Sequence, residues 1–171
     1  MYYIVIHMKQ IVFDSSTAIL MAKIGLLEAV AGKLKIIFPE AVREETAVKK
    51  DSFDSKLIMK LIGEKKIKVA KASRLKADKL MKDFNMERGE AEALALAKEK
   101  KCMLATDDWP SIKACRLLGV KFATAIHFLI RSHEKGELGK ERAMEKLKAL
   151  EKYGRYGYDI IKDAKNKIEG G

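Results

Sequence analysis

Acidic residues fall where an α/β fold would expose its chemistry. Asp14 directly follows the apolar run Gln10-Ile-Val-Phe13, and the adjacent pair Asp107-Asp108 follows the run Lys101-Cys-Met-Leu-Ala105 and Thr106. Glu44 and Glu45 lie in a helical stretch after Leu34–Phe38, and Glu90 and Glu92 open the Ala- and Leu-rich stretch 89–100. Carboxylate oxygens are the ligands of hard divalent cations such as Mg²⁺ and Mn²⁺, and carboxylates gathered without a cation repel one another. Open parallel sheets bind ligands outside the carboxyl ends of their strands. If the strands before Asp14 and Asp107 are neighbours, acids from four separated segments share that rim. Each acid also has a plainer use. Asp14 and Asp108 stand where helix N-caps stand, beside Ser15, Ser16 and Thr106, which cap equally well. Glu90 suits the first turn of a helix through the macrodipole. Adjacent acids at 107 and 108 gain nothing from capping twice.

Competing chemistries lack their residues. The three histidines, His7, His127 and His133, lie near no serine or cysteine motif, and no Gly-rich phosphate loop occurs. Cys102 and Cys115 are too few for a disulfide scaffold or a four-ligand zinc site. A phospho-acceptor reading of Asp14 lacks a second Asp two residues on, because position 16 is Ser.

The elements that must position these acids read as alternating strand and helix. Strands are expected at 10–13, 34–38, 66–70, 101–105 and 120–123, the third with the period-two alternation of a half-exposed strand. Helices are expected at 18–30, 40–48, 55–62, 73–84 and 89–100, then after Thr106–Pro110 up to Leu118, and at 125–133, 140–152 and 159–168. Pro39 suits a helix start and Gly119 a helix stop. Such alternation implies a parallel sheet covered by helices on both faces. The expected organisation is an α/β domain over 1–135, with a helical C-terminal extension over 136–171 packed on it. Met144, Leu147, Leu150 and Tyr153 recur at helical spacing, which suits packing on the domain or on a dimer mate.

A chain of 171 residues with 48% apolar residues can bury a core, and 35% charged residues argue against a membrane or disordered class. No run of about 18 apolar residues occurs, and Met1–His7 is too short for a signal peptide, so a soluble, cytoplasmic protein is expected. Met8 offers an alternative start, since 9–14 reads as a strand without the preceding seven residues. The net charge of +11 is concentrated. Between Lys56 and Lys82 stand ten basic residues against Glu64 and Asp78. Lys65, Lys66, Lys68, Lys71 and Arg74 are candidates to hold a phosphate backbone; a solvated Lys-rich face is the alternative.

Taken together, these stretches resemble the PIN domain family of metal-dependent ribonucleases, and the likeness runs through most of the chain. The opening Asp14-Ser-Ser-Thr17, the stretch Pro39-Glu-Ala-Val-Arg-Glu-Glu45, the run Gly89-Glu-Ala-Glu-Ala-Leu-Ala-Leu-Ala97 and Leu104-Ala-Thr-Asp-Asp108 are similar to the family's motifs in order. The tail from Phe128 to Ile168 is similar to a helical extension of a VapC-like prokaryotic branch. The resemblance implies a three-layer α/β/α sandwich with a central parallel sheet and an acidic cleft. It implies Asp14, Glu45, Glu90 and Asp108 as catalytic residues and metal ligands, with Asp107 a further metal ligand and alternative to Asp108, and Glu44 an alternative to Glu45. Glu90 departs from the Asp found in many members. It further implies one or two Mg²⁺ or Mn²⁺ ions, Ser16 and Thr106 as supports of the ligands, RNA as substrate, and a small antitoxin as partner of a toxin. A homodimer is a further expectation, and an RNA-binding module with little catalysis is the alternative function.

Overall fold

The computed structural model describes residues 10–49 and 51–170. Met8, the alternative start, and His7 lie outside the described residues. Five strands form the sheet: β1 (Gln10–Phe13), β2 (Lys35–Pro39), β3 (Ile67–Ala70), β4 (Met103–Ala105) and β5 (Phe122–Ala123). All neighbours are parallel, in the order β3-β2-β1-β4-β5. Three-layer packing follows from the strands' side-chain alternation. Ile11, Phe13, Ile36, Phe38 and Met103 enter one core, while Val12, Ile37 and Leu104 enter the other. Burial on both faces requires near-continuous apolar strands, which is how β1, β2 and β4 read.

Helices α1 (Ser15–Lys23), α2 (Leu27–Ala31), α3 (Glu40–Val48) and α4 (Phe53–Gly63) contribute to the first core, as do α8 (Ala125–Glu134), α9 (Lys140–Tyr153) and α10 (Tyr158–Gly170). Helices α5 (Arg74–Phe84), α6 (Arg88–Glu99) and α7 (Trp109–Leu118) cover the second. Leu147 and Leu150 of α9 and Ile168 of α10 are buried in the same core as α1 and α8, with Met144 packed against them, so this part of the tail's apolar stripe packs within its own chain while Tyr153 is exposed. No helix among the described residues is long and apolar enough to cross a membrane.

One helix differs from expectation. The stretch 18–30 is two helices, because Gly25 takes φ +67° and ends the first. Its N–H donates to Ala22 O at 3.0 Å and the Leu26 N–H to Met21 O at 2.9 Å, the paired bonds of a Schellman stop. Leu20, Ile24, Leu27 and Val30 are all buried despite the break; apolar spacing survived where helix continuity did not. Gly119 ends α7 in the same left-handed conformation, at φ +67°.

Strand order turns at β1. From there the chain steps outward through β2 and β3, then returns to the other side with β4 and β5. The carboxyl ends of β1 and β4 therefore flank the reversal point, where open α/β sheets leave a crevice for ligands.

Candidate active site

Asp14 sits at that crevice. Its N–H donates to Ala105 O at 3.1 Å, extending the β1–β4 ladder to the last residue before α1. Its side chain is 1% exposed. Oδ1 accepts from Ser16 Oγ at 2.8 Å and from the Thr17 N–H at 2.9 Å, and Oδ2 accepts from Thr106 Oγ1. Asp14 thus caps α1, as its position suggested, but the neighbouring strand also grips its carboxylate. Burial pushes its pKa up to about 6; the hydrogen bonds from Thr106, Thr17 and Ser16 oppose that, and the Asp107 charge adds to it.

Across β4 the adjacent acids diverge in role. Asp108 caps α7, Oδ2 accepting from the Ser111 N–H at 2.9 Å, while its own N–H donates to Thr106 Oγ1 at 3.2 Å. Thr106 therefore bridges Asp14 and Asp108. Asp107 accepts from Thr17 Oγ1 at 2.6 Å, from the Ala125 N–H at 3.0 Å and from the Tyr156 hydroxyl. It clasps α1, the start of α8 and the segment before α10 together. Burial raises its pKa against those bonds, and the Tyr156 phenol is pushed far up by burial and the Asp107 charge.

The third contribution comes from α6. Glu90 reaches back to the Glu87 N–H at 3.0 Å in a capping box. Its pKa is raised to about 7, first by desolvation and then by the charges of Asp108, Asp14 and Glu87, against the Glu87 hydrogen bond. Glu90, Asp108 and Asp14 therefore share one electrostatic neighbourhood. Glu45 comes from α3 and lies against the start of α6: a Cβ on Gly89 would stand 2.1 Å from Glu45 Oε1. A glycine at 89 is what lets this carboxylate lodge beside Glu90. Glu44 instead pairs with Arg88 at 3.6 Å. Glu92 is buried, bonded to Arg88 Nε at 2.8 Å and accepting from the Ala41 N–H at 3.1 Å; it ties α6 to the start of α3.

Among the described residues, none of Asp14, Glu45, Glu90 and Asp108 forms an ion pair with a lysine or arginine. No three His, Cys, Asp or Glu side chains among them are grouped as a ready-made metal cage. Glu90 and Asp108 instead accept from the backbone N–H groups of Glu87 and Ser111. The donor chemistry nonetheless fits a hard divalent cation: the set is all oxygen, burial raises the pKa of Asp14 and of Glu90, and the space at Gly89 admits the Glu45 carboxylate.

The basic run divides. Lys65 and Lys66 enter β3 at its amino end, where Lys66 pairs with Glu64 at 2.9 Å and Glu28 at 3.7 Å. That end lies a four-residue strand, roughly 13 Å, from the carboxyl edge of the sheet that carries the acids. Lys68 is exposed on the edge strand β3. Lys71 and Arg74 follow the carboxyl end of β3 and line a cavity of about 510 Å³ with Arg88 and Glu92, on the acids' side of the sheet. Sequence reasoning did not anticipate the Thr17 and Tyr156 bonds to Asp107 or the Gly89 cradle. Only the glycine ahead of Glu90 could have signalled the last.

The PIN-domain family profile matches residues 10–168, through both C-terminal helices. No curated protein matches the chain. Among solved structures, a chain of the crystal structure of VapBC2 from Rickettsia felis bound to a DNA fragment from their promoter is similar at 14% identity. That match covers 67% of this chain and 98% of the other, with a TM-score of 0.47. With the profile spanning the sheet, the acid rim and the tail alike, the chain belongs to the PIN-domain family.

Proposed function

We propose that this protein is a metal-dependent endoribonuclease acting on single-stranded RNA. The observation that supports the reading most is the gathering of Asp14, Asp108 and Glu90 near the strand-order reversal, where among the described residues none of them pairs with a lysine or arginine. Glu45 lies against the backbone of Gly89, the residue before Glu90, which supports counting it with them. Bound Mg²⁺ or Mn²⁺ would lower the pKa of a water and stabilise the leaving oxygen of the phosphodiester.

The chain's own residues do the positioning. Ser16, Thr17 and Thr106 fix the Asp14 carboxylate, and Thr106 holds Asp108 in register with it. Asp107, engaged by Thr17, Ala125 and Tyr156, supports the crevice from behind. Lys71 and Arg74, at the β3 end of the same rim, hold the phosphate backbone. Lys65 and Lys66 stay outside that track.

As the toxin of a toxin–antitoxin pair, the chain would be silenced by a small antitoxin whose basic side chain occupies the acid crevice in place of the cation. Cleavage of a labelled single-stranded RNA in Mn²⁺ tests the reading. Asp14→Asn and Asp108→Asn are expected to lower the rate at least a hundredfold, about 2.7 kcal/mol of barrier, without loss of fold by circular dichroism. RNA binding that ignores EDTA, with no cleavage in any divalent metal, would replace the enzyme with a binding module.

A further inference from the structure

Beyond β5 the same rim opens into a cavity of about 610 Å³ walled by α7, α8 and α10, a volume in the range that takes a small ligand. One wall is Trp109, the residue after Asp108 and the only tryptophan in the chain. It is 63% exposed, yet it has an ordered neighbour. The Arg116 guanidinium lies 5.6 Å from the Trp109 ring centroid and 5.8 Å from that of Phe122, in contact with both rings. Aromatic and guanidinium planes of this kind are the surfaces on which unstacked bases lie in single-stranded RNA recognition.

The charge of the walls decides which part of a nucleotide enters. Arg116 and Arg155 face Asp107, Asp108, Asp159 and Asp163 around the cavity. Lys167 neutralises Asp163 at 2.6 Å, and Asp107 is engaged by Thr17, Ala125 and Tyr156. With those two engaged, Asp108 and Asp159 offset Arg116 and Arg155, so the walls carry no net positive charge to draw a phosphate, while Asp159 can accept a hydrogen bond from an amino group, as carboxylates do from cytosine N4.

The geometry points to a nucleobase pocket: an unpaired base beside the scissile phosphodiester stacks on Trp109 and donates its exocyclic amino group to Asp159. This rests on the reading of the acid rim as an RNA-cleaving site, and it adds where the enzyme reads its substrate. RNA would run along the carboxyl edge of the sheet, its phosphates at Lys71 and Arg74, the bond to be cut at Asp14 and Asp108, and a base at Trp109.

The lone tryptophan makes the test direct. With the full chain in EDTA, oligo-C, oligo-U and an abasic ribose-phosphate oligomer are titrated while tryptophan fluorescence and the anisotropy of the labelled oligomer are both followed. Oligo-C is expected to quench the tryptophan saturably and to bind more tightly than oligo-U; Asp159→Asn should remove that difference. Trp109→Ala should weaken binding roughly tenfold to a hundredfold, and Trp109→Phe should restore most of it. Unchanged fluorescence at RNA saturation, equal quenching by the abasic oligomer, or equal affinity for oligo-C and oligo-U would each overturn the pocket. The first result would leave the cavity to a protein segment. None of these readouts needs catalysis. A chain that stacks bases but cuts nothing keeps the pocket and loses the nuclease; one whose Trp109→Ala variant binds and cuts like the parent loses the pocket alone.

Discussion

Asp14 shows how one residue holds two roles that are read differently in sequence. As a helix cap it is ordinary, and Ser15 or Ser16 would have served. What separates it from a cap is the second grip by Thr106 from the neighbouring strand, together with burial that holds its pKa near 6. A raised carboxyl pKa carries a definite sign. The folded chain keeps the Asp14 proton over a window where the unfolded chain, near 3.8, has lost it. The contribution to stability is complete below about pH 4 and is lost as pH rises through about 6, amounting to roughly 3 kcal/mol at neutral pH for this buried group. Asn at this position carries no charge. In EDTA, melting curves of Asp14→Asn against the parent should therefore shift in the variant's favour between about pH 4 and pH 7. A difference that stays flat across that range would show that the carboxylate is not desolvated as described.

At the scale of elements, the contact between α3 and α6 is the least expected part of the site. Gly89 is a weak helix residue placed in the first turn of α6, and Glu45 uses the space it leaves. Gly89→Ala would place a methyl on the Glu45 carboxylate, which is the movable end of a flexible side chain. Stability should change by no more than about 1 kcal/mol, since Ala is the better helix former. Cleavage should fall at least tenfold as Glu45 is driven off the rim, measured on the same Mn²⁺-dependent assay; full activity would remove Glu45 from the set.

The strands and most helices were legible because apolar runs and caps are local signals. The strand after 66, half-exposed in sequence, is an edge strand with Ile67 buried and Lys68 exposed. The break at Gly25 was not legible, because apolar spacing carries through it. The division of labour at 107 and 108 was equally hidden. Identical side chains differ there only through Thr17, Ala125 and Tyr156, which arrive from 90, 18 and 49 residues away. Lys65 and Lys66 looked equivalent to Lys71 in a charge count, yet a four-residue strand puts them at opposite ends of the sheet.

For the molecule as a whole, the parallel sheet gives every loop after a strand the same address, and the order β3-β2-β1-β4-β5 lays basic, acidic and aromatic features along one edge. The tail is bound to that arrangement from below. Leu147, Leu150 and Ile168 lie in the core under α1 and α8, and Tyr156 reaches the Asp107 carboxylate. Each large apolar side chain removed from such a core costs roughly 1.5–3 kcal/mol, against a total stability for ordinary domains of about 5–15 kcal/mol. A message cut short after residue 135 would therefore yield no smaller folded domain, only a chain with an uncovered greasy flank. Such a fragment is expected to lack a cooperative melt and to collect in the insoluble fraction. If it stayed soluble and melted sharply, the last two helices would be an ornament on a self-sufficient fold.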